Sequence, residues 1–183
     1  MTGLRLGLLL VVLLVGRVAA GELLHKGVRF IAEVDEPEAA LGSEIRFTLS
    51  FVNETNKPVR IYLVDEPFRC LQSMLRVVRA YGGRCVSLQP PVRPHGFVVD
   101  ESDFHLIPPG ESFSTSQSLH LDRELFKAGE KYIVTWIYEN RVTKWLGGIS
   151  TVDGPTKELF GGKDIPYIWI GGSVVDVKIR VRK

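Results

Sequence analysis

The sequence predicts an all-β protein, built as a sandwich of antiparallel sheets. Two observations lead to this fold class. Several segments alternate between apolar and polar residues with period two, and clusters of Gly, Pro and Asn separate them. The stretch 104–138 also predicts a turn, a strand, a short helical corner, a tight turn and a second strand. The rest of the chain is organised around this stretch.

The first twenty residues have the organisation of a secretory signal peptide. Arg5 supplies a basic start, residues 6–15 are apolar, and small residues occupy the positions before a cleavage site. A membrane anchor is the competing interpretation, but the apolar run is about half of the length that a span requires. We therefore expect a 1–20 signal peptide cleaved after Ala20 and a domain of residues 21–183. The product would be secreted or periplasmic, with no membrane span.

The count of charged residues predicts a mature domain with a net charge near zero. The chain has 23 Lys and Arg against 21 Asp and Glu, and the leader contains Arg5 and Arg17 but no acidic residue. Because the remaining charges balance, nothing indicates binding to nucleic acid or to an anionic membrane surface. No pattern indicates a cofactor, and none is predicted. The mature segment is long enough to bury one core, so we expect a single domain.

The N-terminal part of the domain contains three predicted strands. Residues 22–34 alternate and are expected to form one edge-like strand. Residues 45–51 form the clearest strand, with every second side chain apolar. After a turn cluster, residues 59–64 are expected to pair back onto it. Asn53 begins an N-x-Thr glycosylation sequon, a pattern that also arises often by chance.

A hairpin and the two cysteines follow. Residues 74–81 and 84–88 are predicted strands joined by a two-residue turn, Gly82-Gly83. An even number of cysteines in an exported chain predicts a disulfide between Cys70 and Cys85. In the chain-entropy model such a bridge contributes about 3 kcal/mol. Two free thiols or a metal pair are the alternatives, although no further ligand lies at metal-binding spacing.

The central stretch contains two strands joined by a corner. Residues 112–121 alternate, with serines on one face, and Asp122 is suited to cap a single helical turn that ends at Gly129. Residues 132–138 are apolar on both faces, which is typical of a central strand. We expect a hairpin-like unit. The spacing from Asp122 to Tyr132 is similar to the tyrosine corner of immunoglobulin-like domains, and a simple core tyrosine is the alternative.

The C-terminal region combines a long loop with a closing strand. Residues 147–172 contain seven glycines and two prolines, and loops of this length are usually functional. Trp145, Tyr167 and Trp169 lie in or beside it and form the predicted binding site for a protein partner, because exposed aromatic rings bring large contact area at low entropic cost. The alternative is that these rings fold inward. Residues 173–183 alternate, with charges outside that would guard an edge strand.

The sequence carries no catalytic signature, so we predict a protein that is not an enzyme. It has no H-E-x-x-H, no G-x-S-x-G and no phosphate-binding Gly-rich loop. The four histidines are scattered. His95 and His105 flank a proline-rich loop and could join Asp100, Glu101 and Asp103 in a metal cluster. A solvated loop is the commoner meaning of that pattern, and no metal site is predicted.

Four turn-and-strand motifs follow one another in a distinctive order: Leu41-Gly42-Ser43-Glu44-Ile45, Asn56-Lys57-Pro58-Val59, Ile107-Pro108-Pro109-Gly110 and Ala128-Gly129 before Tyr132. Over residues 38–183 this pattern resembles the β-sandwich pro-region of deuterolysin-type zinc metallopeptidases and the bacterial proteinase-inhibitor type of immunoglobulin-like domain. The resemblance implies an immunoglobulin-like antiparallel β-sandwich and a peptidase as the partner. No zinc motif and no reactive-site motif matches, so no inhibitory residue is carried over.

These observations lead to one leading function and two alternatives. The leading hypothesis is an exported, non-enzymatic immunoglobulin-like binding domain that binds or inhibits a peptidase. The first alternative is a structural or surface-assembly subunit that pairs through the edge strands 28–34 and 173–183. The second is a metal-dependent enzyme built on the loop between His95 and His105.

Overall fold

The computed structural model describes residues 18–63, 74–89, 97–98, 103–140, 144–145, 149–150, 163–164 and 166–183. Within these residues the chain is all-β, as predicted. Its strands, in chain order, are β1 (Val18–His25), β2 (Val28–Val34), β3 (Glu38–Ala39), β4 (Glu44–Asn53), β5 (Val59–Tyr62), β6 (Met74–Ala80), β7 (Cys85–Gln89), β8 (Phe97–Val98), β9 (Phe104–Ile107), β10 (Ser112–His120), β11 (Lys131–Asn140), β12 (Lys144–Trp145), β13 (Ile149–Ser150), β14 (Lys163–Asp164) and β15 (Gly171–Val181).

Two sheets form the body of the protein. One has the strand order β1-β2-β4-β10 and the other β3-β15-β11-β6-β7. Neighbouring strands run antiparallel in both sheets, except that the short β3 runs parallel to β15. Three short antiparallel pairs, β5 with β9, β8 with β13 and β12 with β14, complete the described strands.

The core lies between the two sheets and is rich in aromatic rings. Phe47 of β4 meets Trp136 of β11 edge to face, with ring centroids 5.4 Å apart. Phe51 of β4 and Tyr138 of β11 make a second such contact at 4.8 Å. The alternation predicted for residues 45–51 is confirmed, and the inward residues of β4 and β11 are almost fully buried. β11 lies between β15 and β6, so it is the central strand that its sequence predicted.

The segment 22–34 forms two strands, so the prediction of a single edge strand is wrong. The chain reverses at Lys26 and Gly27, which both have positive φ, 47° and 75°. Two such residues make the tight turn that suits a β-hairpin. As a result β2 lies inside its sheet, between β1 and β4. Assembly through an edge at 28–34 is therefore excluded, since both sides of β2 are already paired.

β5 was expected to pair with β4, and this is also wrong. Its four residues pair with β9 instead, so that Arg60 lies opposite Leu106. On the other side of β5, Arg60 forms a parallel bridge to Ile168. The turn cluster before β5 carries the chain away from β4 and brings it beside segments that are remote in sequence.

β10 and β11 belong to different sheets, so the expected hairpin-like unit is in fact a crossing between sheets. The helical turn at this corner is present: the Phe126 N–H donates to the Asp122 carbonyl at 2.9 Å. The tyrosine corner is present too, because the Lys127 N–H donates to the Tyr132 hydroxyl at 2.8 Å. Burial is the largest cause that raises the pKa of Tyr132.

The turn between β6 and β7 is longer than predicted. Residues 81–84 separate the two strands; within this loop the Gly83 N–H donates to the Ala80 carbonyl and the Ala80 N–H donates to the Arg84 carbonyl. Cys85 follows this loop as a free and exposed thiol. The predicted disulfide to Cys70 is therefore not found; Cys85 lies on an outer strand open to solvent, and Cys70 is outside the described residues.

β1 begins at Val18, within the segment expected to be a signal peptide. Its pairing with β2 is irregular between Ala19 and Gly21, and becomes regular from Gly21 to His25. Gly21 packs tightly against β15: an added Cβ would lie 2.6 Å from the Asp176 carbonyl oxygen. Residues 1–17 lie outside the described residues. In the described part of the chain, no helix has the length and hydrophobicity needed to cross a bilayer.

Candidate functional site: an anchored segment that exposes Tyr167

The segment 166–170 leads into β15 and is held by the backbone of β5. The Arg60 N–H donates to the Tyr167 carbonyl, and the Trp169 N–H donates to the Arg60 carbonyl, each at 2.8 Å. These bonds flank Ile168, which pairs with Arg60. The segment is therefore anchored to strand β5 although it is not itself a regular strand.

Trp169 is a core residue, with 6% of its surface exposed. Its ring stacks on Tyr138 at 5.6 Å and meets the His25 ring edge to face at 5.8 Å. The Asn140 side-chain amide donates to the Trp169 carbonyl at 2.9 Å. The prediction that Trp169 belongs to an exposed binding site is therefore corrected: this ring folds inward and fixes the segment to the core.

Tyr167 points the other way and is 58% exposed. Its φ of 63° places it in the left-handed region, which non-glycine residues rarely adopt without support from their surroundings. Ile170 and Leu106 are also exposed, at 41% and 49%. Leu106 lies on β9, on the side of β5 opposite the segment, whereas Tyr167 and Ile170 belong to the segment itself. We call the two exposed residues of the segment, Tyr167 and Ile170, the Tyr167 surface.

The third predicted aromatic residue is only partly described. Trp145 lies in β12, where it pairs with Lys163 of β14. Nothing further is described for its side chain. Of the three predicted binding residues, the structure thus brings Tyr167 to the surface and Trp169 into the core beneath the same segment.

Two of the three described histidines, His25 and His105, pack against aromatic rings, and His120 is exposed. The His105 ring stacks on Phe113, with centroids 4.1 Å apart and planes inclined by 19°. His25 contacts Trp169, as described above. His95 lies outside the described residues. Within the described part of the chain, no group of three or more His, Cys, Asp or Glu residues is arranged to hold a metal ion.

The side chain of Asn53 is buried and forms four hydrogen bonds. Its side-chain amide nitrogen donates to the carbonyls of Lys57 and Ile107, at 2.8 and 2.9 Å. Its side-chain oxygen accepts from the Thr55 backbone N–H and from the Thr55 hydroxyl, at 2.9 and 2.7 Å. Because both amide hydrogens are in use and the residue has no exposed surface, the sequon serves a structural role in this fold.

Arg76 is a residue that the sequence analysis did not single out. It faces inward from β6, with its guanidinium carbon 5.7 Å from the centroid of the Trp136 ring. It also donates a hydrogen bond to the Ser118 carbonyl of β10, in the opposite sheet. Burial lowers the pKa of Arg76 from its ordinary value. The alternation of β6 could have revealed it, since Arg76 shares its face with the fully buried Val78.

Comparison with known proteins adds no family. No protein-family model matches the chain, and no curated protein sequence is significantly similar to it.

Proposed function

We propose that this protein is an exported, non-enzymatic binding module that contacts a protein partner through the Tyr167 surface. The observation that carries the proposal is the anchored segment 166–170, which buries Trp169 and exposes Tyr167 and Ile170. The leader pattern of residues 1–20 supports export.

Anchoring matters because binding normally costs conformational entropy. Ordering a loop or a side chain at an interface costs roughly 0.5–1.5 kcal/mol per mobile side chain. Here the backbone beside Tyr167 is already held by two bonds to Arg60 and by the packing of Trp169. An exposed tyrosine on such a support brings a large, amphipathic contact area, and tyrosine is enriched among the residues that dominate binding energy.

A peptidase is the partner class that we propose for this surface. The support is the turn-and-strand resemblance of residues 38–183 to peptidase pro-regions and to inhibitor-type domains. In this proposal the module masks or inhibits a peptidase without carrying catalytic residues of its own. The resemblance transfers no residue, so the assignment of the surface depends on Tyr167 and its neighbours alone.

The test measures binding and inhibition against a panel of secreted peptidases of the serine, cysteine, aspartic and metallo classes. We expect saturable binding to at least one of them. The Tyr167→Ala and Ile170→Ala double variant should bind at least tenfold more weakly at an unchanged melting temperature. Tyr81→Ala is the matched control, because Tyr81 is a similarly exposed tyrosine, at 52%, in the β6–β7 loop.

Three outcomes separate the parts of this proposal. If no peptidase of the panel binds, the peptidase assignment is wrong. If a peptidase binds the double variant and the parent equally well, the Tyr167 surface is not the contact. If the double variant loses binding and melting temperature together, Tyr167 and Ile170 support the fold instead.

A further inference from the structure

In the part of the chain that the structure describes, the two sheets have four outer edges, and three of them are short or irregular or pack against another strand. The pairing of β1 is irregular between Ala19 and Gly21, and this strand packs against β15. β3 has two residues, and the pairing of β7 with β6 is irregular between Val78 and Arg79. Short strands and bulges are devices by which proteins prevent unwanted pairing at sheet edges.

The fourth edge, β10, has none of these devices. Its nine residues pair with β4 without any register shift, from Ser112 opposite Val52 to His120 opposite Glu44. The strand SFSTSQSLH contains no proline, lysine, arginine or acidic residue. β10 is therefore a long and regular outer strand without the charges or prolines that usually guard such an edge.

The outer side of β10, which pairs with no described strand, presents alternate backbone groups. In an antiparallel pair, every second residue directs its N–H and C=O towards the partner strand. The Asn53 N–H donates to Glu111, and the Leu121 N–H donates to Ser43, so the odd-numbered positions between them face β4. The even-numbered positions therefore direct their backbone groups outward, and all five of their side chains are exposed: Ser112, Ser114, Ser116, Ser118 and His120.

Arg76 lies at one end of this edge. Its guanidinium donates to the Ser118 carbonyl, which is one of the outward-facing groups, and its Nε is buried without a hydrogen-bond partner. Among the described residues, no carboxylate forms an ion pair with Arg76. A guanidinium offers five donors, suited to bidentate contact with a carboxylate. The outer edge of β10 therefore ends beside Arg76, a partly buried cation that forms no ion pair with any described carboxylate.

We propose that β10 accepts an extended segment of another polypeptide as an added strand, with an acidic side chain placed at Arg76. The main-chain groups of Ser112, Ser114 and Ser116 would bond the added strand, and the carboxylate would set its register beside Ser118. Strand addition of this kind gains affinity from main-chain bonds and specificity from side-chain contacts. The inference goes beyond the Tyr167 surface and depends on none of its residues.

Charge favours a different polypeptide over a second copy of this chain. Two copies of β10 paired antiparallel would place Ser114 of one opposite Ser118 of the other if the symmetry axis passed at Ser116. β10 has no carboxylate between Ser112 and His120, so a second copy would leave Arg76 without an anion. An acidic extended segment would hydrogen-bond to the outward backbone groups of β10 and would also place a carboxylate beside Arg76.

The test begins with a displayed library of random twelve-residue linear peptides, selected on the purified protein. We expect enrichment of peptides with β-forming alternation and one acidic residue. Synthetic copies of an enriched peptide, with the acidic residue present or replaced by its amide, are then titrated against the parent and two variants. Ser116→Pro removes one outward N–H, and Ser116→Ala is its matched control with the backbone intact.

The expected results are specific to the edge. Ser116→Pro should weaken binding at least tenfold and Ser116→Ala less than twofold. The acidic peptide should bind the parent at least tenfold more tightly than its amide form, and Arg76→Met should reduce that preference to within twofold. Hydrogen exchange supplies a test without substitution: bound peptide should slow exchange of the Ser114 and Ser116 amides at least tenfold.

Each contrary outcome overturns the proposal. One is a selection that enriches no such peptide; another is binding that leaves exchange at Ser114 and Ser116 unchanged. If the Arg76→Met variant still prefers the acidic peptide over its amide form, Arg76 is not part of the binding site. A dimer of the parent that Ser116→Pro separates would show that a second copy occupies the edge. The melting temperature of each variant confirms that it is folded.

Discussion

Replacement of Asn53 by alanine is the most direct test of the fold. The substitution removes four side-chain hydrogen bonds, two donated to the carbonyls of Lys57 and Ile107 and two accepted from Thr55. A protein hydrogen bond contributes about 1 kcal/mol net, and a buried group left unpaired costs more. We expect Asn53→Ala to lower the free energy of unfolding by about 3–4 kcal/mol, and the melting temperature by roughly 6–16 °C.

The measurement is urea unfolding followed by tryptophan fluorescence. Asn56→Ala is the matched control, because Asn56 lies in the same loop and is exposed, so its removal should change stability by less than about 0.5 kcal/mol. A loss below about 1 kcal/mol for Asn53→Ala would refute the reasoning. So would a glycan on Asn53 in folded protein from a glycosylating host, since the amide is buried and both its hydrogens are bonded.

Asn53→Asp gives the same site a pH dependence. The new carboxylate would be buried, with one oxygen facing the carbonyl oxygens of Lys57 and Ile107 and the other accepting from Thr55. We expect burial and the repulsion from two carbonyls to outweigh the bonds from Thr55, which raises the pKa of the new side chain in the folded state. The unfolded chain then loses its proton first, so the variant should lose stability as the pH rises above about 4. Equal destabilisation at pH 4 and pH 8 would contradict this account.

Four further substitutions and conditions test other parts of the structure. Tyr132→Phe should cost about 1–2 kcal/mol in urea unfolding, because it removes the bond from the Lys127 N–H. Gly27→Ala should cost at least about 1 kcal/mol by the same assay, since its φ is 75°. Burial raises the pKa of Tyr138, so stability should be full below about pH 10 and fall above it, a slope that Tyr138→Phe should flatten. The exposed Cys85 should react with a thiol reagent in folded protein, and Cys85→Ser should abolish that rapid reaction.

Predictions that depended on local pattern were confirmed. The strands at 45–51 and 112–121 have the inward faces expected from alternation, because a strand directs successive side chains to opposite sides. Residues 132–138 form the expected central strand. The capped turn at Asp122 and the corner at Tyr132 were also readable, since their hydrogen bonds join residues only a few positions apart. Such features need no knowledge of the other sheet.

Predictions that depended on turns or on remote pairing were less successful. The turn at Lys26-Gly27 was missed because lysine is not a typical turn residue, and its positive φ is imposed by the hairpin. Pairing of residues 59–64 with β4 was wrong because alternation identifies a face but not a neighbour. Arg76 looked like an ordinary strand residue, and only its contact with Ser118 of the other sheet gives it a role.

The sequence by itself determined that the chain is all-β and which side chains face inward, because period-two alternation is a local property of the backbone. It also showed that three aromatic residues accompany the long C-terminal loop. Only the tertiary structure decided that Trp169 packs on Tyr138 while Tyr167 stays exposed, and that β10 is an outer strand of the described sheets. Both depend on contacts between segments far apart in the chain, and those contacts exist only once the two sheets have packed together.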